Sequence, residues 1–345
     1  MSLVSTLLAL LSCGGNAYTD LDVESFSETV RDGAVAVLDV RTAVEYAAGH
    51  LSGAANADWY AAGFLDSIEA EYPKGTAIAV YCRSGKRSAA AAAVLSKAGY
   101  TVYNMLGGYN AWTEAGKPVT TYEVVRFFTP GGKKVDITLI KHASLAIDYS
   151  GFSIQADPVS GLSKPTDYAR EFPKADLILV THEHFDHFDK EAIAALGGGE
   201  GTTSSIVTNS RCAGMLGLDS FIANGDELTV RDDIRIEAVP AYNITEGHLQ
   251  FHPKGRDNGY VLTLDGLRIY IAGDTEDIPE MSGLKDIDIA FLPVNQPYTM
   301  TVGQCVNAAK TIRPKVLIPY HFSETDITSL PGLLPGIKVL LTDMK

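Results

Sequence analysis

His182, His184, Asp186 and His187, all able to hold a metal ion, stand in H-x-H-x-D-H spacing within one short stretch, Thr181-His182-Glu183-His184-Phe185-Asp186-His187-Phe188-Asp189. Imidazole and carboxylate suit zinc, iron or manganese. Side chains so close in sequence converge on one or two ions only if the backbone curls, which predicts a loop here. More distant groups stand at the ends of apolar runs: Asp274 closes Ile269-Tyr270-Ile271-Ala272-Gly273-Asp274, and His321 closes Leu317-Ile318-Pro319-Tyr320-His321. A cation gathered by such groups acidifies water and stabilises an oxyanion, which is the chemistry of hydrolysis.

A second constellation surrounds Cys82, in Tyr81-Cys82-Arg83-Ser84-Gly85-Lys86-Arg87-Ser88. A cysteine between a buried strand and a helix meets inward-pointing N–H groups and the positive end of the helix dipole. Arg83, Lys86 and Arg87 add positive charge, and all three effects favour a reactive thiolate. Cys212 and Cys305 lie in helix-like surroundings and read as packing residues.

The elements that position these groups fall into two patterns. Residues 18–121 alternate short apolar runs (Ala34 to Val40, Ala77 to Tyr81, Thr101 to Tyr103) with helical stretches such as Ser88 to Lys97, which predicts a parallel sheet covered by helices. Residues 122–345 shift to longer strands. Val135 to Ile147 pairs with Phe152 to Ala156 as a hairpin, and Leu177 to Val180 runs straight into the histidine cluster. Further strands are expected at 234–239, 260–264, 267–272, 287–292 and 315–318, with a helix over Val306 to Ile312. Two mixed sheets flanked by helices accommodate this order.

At 345 residues the chain has room for two cores. A net charge of −14, from 28 basic and 42 acidic residues, argues against nucleic acid as a partner. Residues 1–17 read as a signal-like segment: the run Leu3 to Leu11 has the length of a signal-peptide core, and Cys13 after a small residue resembles a lipoprotein cleavage box. The expectation is a cell-envelope lipoprotein held to the membrane only through an acylated Cys13. The missing basic residue before Cys13 departs from that pattern and leaves a cytoplasmic chain as the alternative.

Leu38-Asp39-Val40-Arg41, Glu45-Tyr46, Gly49-His50-Leu51-Ser52-Gly53-Ala54, the Cys82 loop with its C-x-x-G-x-R pattern, and Gly107-Gly108 through Trp112 to Gly116-Lys117-Pro118 together resemble the single-domain rhodanese family. The resemblance implies a persulfide sulfur on Cys82. Arg83, Ser84, Gly85, Lys86 and Arg87 would form the binding loop for a thiosulfate, thiol or persulfide donor, while Asp39, Arg41 and His50 hold that loop.

From about Val124 to Lys345 the chain resembles the metallo-β-lactamase fold, an αββα sandwich. That resemblance implies a first ion on His182 and His184, a second on Asp186, His187 and His321, and Asp274 bridging them. Asp186 and Asp274 would be catalytic in fixing the ions and orienting water. The family usually places another histidine near Val239 to Asn243, where this chain has Tyr242 and Asn243. His248, His252 or Asn243 is left to complete the first site, with His252 expected on the substrate side. Lys141-His142-Ala143-Ser144, Ala156-Asp157-Pro158, His252-Pro253-Lys254-Gly255, Gly273-Asp274-Thr275 and Leu292-Pro293-Val294 are similar to the branch containing ascorbate-6-phosphate lactonase and N-acyl-phosphatidylethanolamine phospholipase D. His142 reads as a core residue in preference to a site residue.

The leading expectation is a hydrolase with one or two divalent ions, zinc first and iron or manganese as alternatives. Its small-molecule substrate would be an ester, lactone, amide or phosphodiester. One alternative is a sulfur-oxidising enzyme similar to persulfide dioxygenases, with a single iron. Another makes the rhodanese-like half a non-catalytic regulatory or docking module.

Overall fold

A computed structural model describes residues 18–31, 33–162, 165–199 and 204–345. The signal-like reading of residues 1–17, with Cys13, lies outside the described residues. The chain divides between Thr121 and Tyr122 into two compact units.

In the first unit five parallel strands, β1 (Thr19–Leu21), β2 (Ala36–Asp39), β3 (Ala54–Asn56), β4 (Ala77–Tyr81) and β5 (Thr101–Met105), form a sheet of order β1-β5-β4-β2-β3. Both faces are covered, so its strands read as continuous apolar runs. Ile78 and Val80 pack with Leu38 and Leu95 on one face, while Ala79 and Tyr81 pack with Val37 and Trp112 on the other. The helix Lys86–Lys97 starts after Gly85, whose φ of +87° only glycine adopts readily. Four residues thus turn the chain from the end of β4 into that helix, and Cys82 is the first of them.

The second unit has two sheets. The first, of order β11-β10-β9-β8-β7-β6, comprises β6 (Glu123–Phe128), β7 (Lys134–Lys141), β8 (Ser144–Tyr149), β9 (Phe152–Ala156), β10 (Leu177–Val180) and β11 (Ser205–Thr208). The second runs in chain order through β12 (Glu227–Arg231), β13 (Ile234–Ala241), β14 (Asp257–Leu264), β15 (Leu267–Ile271), β16 (Ile289–Pro293), β17 (Val316–Tyr320) and β18 (Lys338–Val339). One buried apolar cluster joins Ile137, Ile147 and Leu179 of the first sheet to Ile236, Leu262 and Ile269 of the second. A separate cluster seals the first sheet's outer face, with Ile178 and Val180 against Ala192 and Ile193 of the helix Lys190–Ala195. The expected αββα layering is present.

One expected element is corrected. Val135 to Ile147 is not a single strand: the chain reverses at His142-Ala143, so that β7 and β8 pair antiparallel with Lys141 opposite Ser144. His142 takes φ +50°, a conformation that glycine or asparagine normally signals and histidine does not. The apolar run therefore carried no visible break.

Candidate metal centre

The histidine cluster follows β10 without a gap. The N–H groups of His187 and Phe188 both donate to the His184 carbonyl, which curls the chain and turns His182, His184 and His187 toward one volume. The Thr181 carbonyl just before them accepts from the Asn258 N–H and from the Asn209 side chain, both at 3.1 Å. Asp274 arrives from the end of β15. Gly273 precedes it at φ +63°, where a Cβ would come 3.0 Å from the Asn258 carbonyl and 3.1 Å from Thr181 Cβ, so only glycine lets this segment lie so close. His321, at the end of β17, points to the same place.

Asp274 stands at the centre. Its Oδ1 lies 3.2 Å from His187 Nε2, and its Oδ2 lies 3.3 Å from His252 Nε2, 3.3 Å from His321 Nε2 and 3.9 Å from His182 Nε2. Candidate ligand atoms gather in overlapping groups, each within 4.8 Å: His182, His184 and His252; His142, Asp186, His187 and His321; and His182, His187 and Asp274. His252 thus stands with His182 and His184, where a third imidazole of the first site is expected. Its expected substrate-side position does not hold, because its ring is buried and wedged between Asp274 and Asp257. Asn243 contributes no side chain to the cluster; its amide donates to the carbonyls of Tyr298 and His248, and its N–H holds the His252 carbonyl at 2.9 Å. His248 faces Glu276 at 3.5 Å.

The donors fit a cation. Nε2 of His182, His187 and His321 and Oδ1 of Asp274 are buried and lack any hydrogen-bond partner. Leaving one such group unsatisfied costs about 1–3 kcal/mol, so four together need a common ligand. The opposite ring nitrogens are held: His187 Nδ1 lies 2.8 Å from Asp157 Oδ2 and His252 Nδ1 lies 3.0 Å from Asp257 Oδ2. Because a carboxylate only accepts, each Nδ1 carries the proton and each Nε2 offers its lone pair inward. Thr181 fixes Asp157 with its N–H at 2.8 Å and its hydroxyl at 2.7 Å, and Arg256 fixes Asp257.

Electrostatics divide the imidazoles. Burial lowers His182, His184 and His142, and neighbouring imidazoles add to the effect. Burial also opposes the charged forms of His187, His252 and His321, but carboxylates override it. Asp274 and Asp157 raise His187, Asp257 and Asp274 raise His252, and Asp274 and Asp186 bring His321 up to about 9. Against the cost of burial, the His142 hydrogen bond and the nearby His321 and His187 imidazoles keep Asp186 below the usual carboxylate range, and the His321, His187 and His252 imidazoles do the same for Asp274. The carboxylates demand positive charge, which protons or cations can provide.

In the first unit Cys82 is buried, which pushes its thiol up, but hydrogen bonds from Ser88 and from the N–H groups of Ser84 and Arg87 bring it below its ordinary value. Gly107-Gly108 back the loop closely, and the Tyr109 N–H donates to the Cys82 carbonyl at 2.8 Å. Of the three expected donor-orienting cations, Arg83 and Lys86 are exposed beside Ser84 and the half-buried Gly85. Arg87 is engaged elsewhere: its guanidinium grips Glu45 at 2.7 and 2.8 Å, which ties the loop to the helix Ala43–Ala47. Arg41 pairs with buried Asp39 at 2.6 Å and donates to the Gly49 carbonyl, while the His50 ring stacks on Tyr46 at 3.7 Å. Burial raises Cys212 and Cys305 to about 12, as inert packing thiols.

His142 departs from its expected place in the core. Its Nε2 lies 3.1 Å from Asp186 Oδ2 and its ring lies 3.6 Å from that of His321, so it borders the cluster and is not a remote core residue.

A family model described as a beta-lactamase superfamily domain matches residues 136–321, and one described as a rhodanese-like domain matches residues 22–115. A UPF0173 metal-dependent hydrolase of Pyrococcus furiosus is 32% identical over 196 residues, 55% of this chain and 85% of that protein. One from Ligilactobacillus salivarius is 34% identical over 194 residues, 54% of this chain and 84% of that protein. Among solved structures, a Parabacteroides distasonis protein assigned as a metal-dependent hydrolase is 51% identical, spans 65% of this chain and all of its own, and superposes with a TM-score of 0.61. A metallo hydrolase of Ignicoccus hospitalis is 26% identical, covers 61% of this chain and 95% of its own, and has a TM-score of 0.50.

Proposed function

Because the chain belongs to the UPF0173 metal-dependent hydrolases of the beta-lactamase superfamily and carries a rhodanese-like domain before that fold, we propose a two-cation hydrolase fused to a sulfur-carrying module. The observation that carries the hydrolase reading is the set of buried, partnerless donors on His182, His187, His321 and Asp274. His182, His184 and His252 would hold one cation, Asp186, His187 and His321 the other, and Asp274 would serve both. Zinc suits this donor set best, with manganese and iron as the alternatives. Bound there, the cations supply Lewis acidity that acidifies water and stabilises negative charge on a carbonyl or phosphoryl oxygen.

The chain's own residues supply the geometry. Asp157 and Asp257 lock the tautomers of His187 and His252, so the site is formed before substrate arrives. Asp186 and Asp274, both ionised, offer acceptors that orient water for attack. The substrate class is an ester, lactone, amide or phosphodiester. The gathering of His252 with His182 and His184 supports this reading over a sulfur-oxidising enzyme with a single iron.

The Cys82 thiolate would attack the outer sulfur of thiosulfate. The S–S bond breaks, sulfite leaves with the electron pair, and the persulfide then passes its outer sulfur to a nucleophile such as cyanide or a thiol. Arg83 and Lys86 attract the anionic donor. Metal analysis of the purified protein with a panel of ester, lactone, amide and phosphodiester substrates tests the hydrolase half, and thiosulfate-to-cyanide transfer tests the other. A protein that binds no divalent metal and cleaves none of the panel overturns the hydrolase reading.

A further inference from the structure

His142 makes three connections to the second half of the metal centre. Its Nε2 lies 3.1 Å from Asp186 Oδ2, its ring lies against the His321 ring at 3.6 Å, and its carbonyl accepts the His321 N–H at 3.1 Å. Its own N–H donates to the Lys345 carbonyl at 3.1 Å, and its backbone takes φ +50° at the β7–β8 turn. A non-glycine residue held in that conformation reflects surroundings that over-determine it. His142, in a turn of one sheet, and His321, just past a strand of the other, are thereby fixed to each other through both main chain and ring.

The chemistry of the contact with Asp186 decides the role. An ionised carboxylate only accepts hydrogen bonds, so Nε2 of His142 must carry the proton and donates it to Oδ2. A protonated Nε2 has no lone pair for a cation. The ligating atoms His182 Nε2, His187 Nε2 and His321 Nε2 are buried without partners, whereas His142 Nε2 has one. We infer that His142 is a positioning residue for the second cation: it holds Oδ2 of Asp186, the oxygen that lies 3.6 Å from His321 Nε2, and braces the ring of His321.

This inference rests on the two-cation reading. It is tested without substrate, by titrating metal-stripped protein with zinc against a chromophoric chelator in wild type, His142→Ala and His142→Gln, with thermal melts as the check on folding. The Gln amide nitrogen reproduces the Nε2–H donor. The expected result is that His142→Ala weakens one of two zinc affinities by about 10- to 100-fold, while His142→Gln restores most of the loss. The visible spectrum of cobalt-loaded His142→Gln should match wild type. Should the Ala variant not fold, the Gln variant carries the test through both readouts. Unchanged affinities in His142→Ala, no rescue by Gln, or an altered cobalt spectrum in the Gln variant would overturn the inference, the last by placing His142 among the ligands. Wild type that binds no zinc defeats the metal-centre reading itself, and the inference with it.

Discussion

His252 bridges two carboxylates, with Nε2 at 3.3 Å from Asp274 and Nδ1 at 3.0 Å from Asp257. This brings a histidine from the loop before β14 to the loop after β10 and to the ends of β15 and β17. His252→Ala is expected to leave the protein about one cation equivalent short and to lower kcat/KM for its hydrolytic substrate by more than about 100-fold. Asp257→Asn keeps the shape but loses the charge that orients the ring, and should cost about 10- to 100-fold in affinity for that cation. Chelator-competition titration and steady-state kinetics check both.

Metal removal should make stability sensitive to alkaline pH. Without cations, His187, His252 and His321 have raised values, His321 to about 9, against an ordinary value of 6.5. Between those values the folded state binds more protons than the unfolded chain, so stability falls as pH rises. The His321 contribution is complete below about 6.5 and is lost through about 9, and His187 and His252 act in the same direction. Thermal melts of chelator-treated protein should decline across that window, while metal-loaded protein, whose cations replace the protons, should not. Calorimetric zinc binding should release protons for the same reason.

At Cys82 the thiol lies below its ordinary value, so alkylation by iodoacetamide should reach its plateau at a lower pH than a free cysteine does. Cys82→Ala should abolish sulfur transfer from thiosulfate and leave hydrolysis intact. Glu45→Ala frees the Arg87 guanidinium and should shift the alkylation profile, because the loop loses its tie to the helix Ala43–Ala47.

The pair Asp39–Arg41 is almost fully buried, with side chains 0% and 4% exposed. Asp39→Ala leaves an uncompensated charge inside the first unit and should destabilise it by about 3–5 kcal/mol. Denaturant unfolding, followed by fluorescence of Trp59 and Trp112 in that unit, measures it.

The parts of the site that could be read from sequence were those that contiguity or strand ends reveal. His182, His184, Asp186 and His187 stand together on a single loop, while Asp274 and His321 each terminate an apolar run. His252 and His142 were not legible in the same way. The first depends on how Asn243 holds the backbone of its loop, and the second on a histidine adopting a turn conformation that no neighbouring glycine announces. Arg87 shows the opposite limit: its place in the Cys82 loop says nothing about a glutamate far away in the chain that claims its guanidinium. The apolar runs located the central strands because the sheets bury them; the break at His142 was hidden, and the strands at the sheet edges, β1, β3, β6, β11, β12 and β18, carried no such run.

The most direct measurement is the metal content of protein purified without chelator, beside Asp274→Ala. The expected result is about two divalent cations per wild-type chain, and loss of both cations and hydrolysis in the variant, since Asp274 touches the imidazoles of both sites. A wild-type chain devoid of metal, or an Asp274→Ala protein that keeps its full complement, would contradict it.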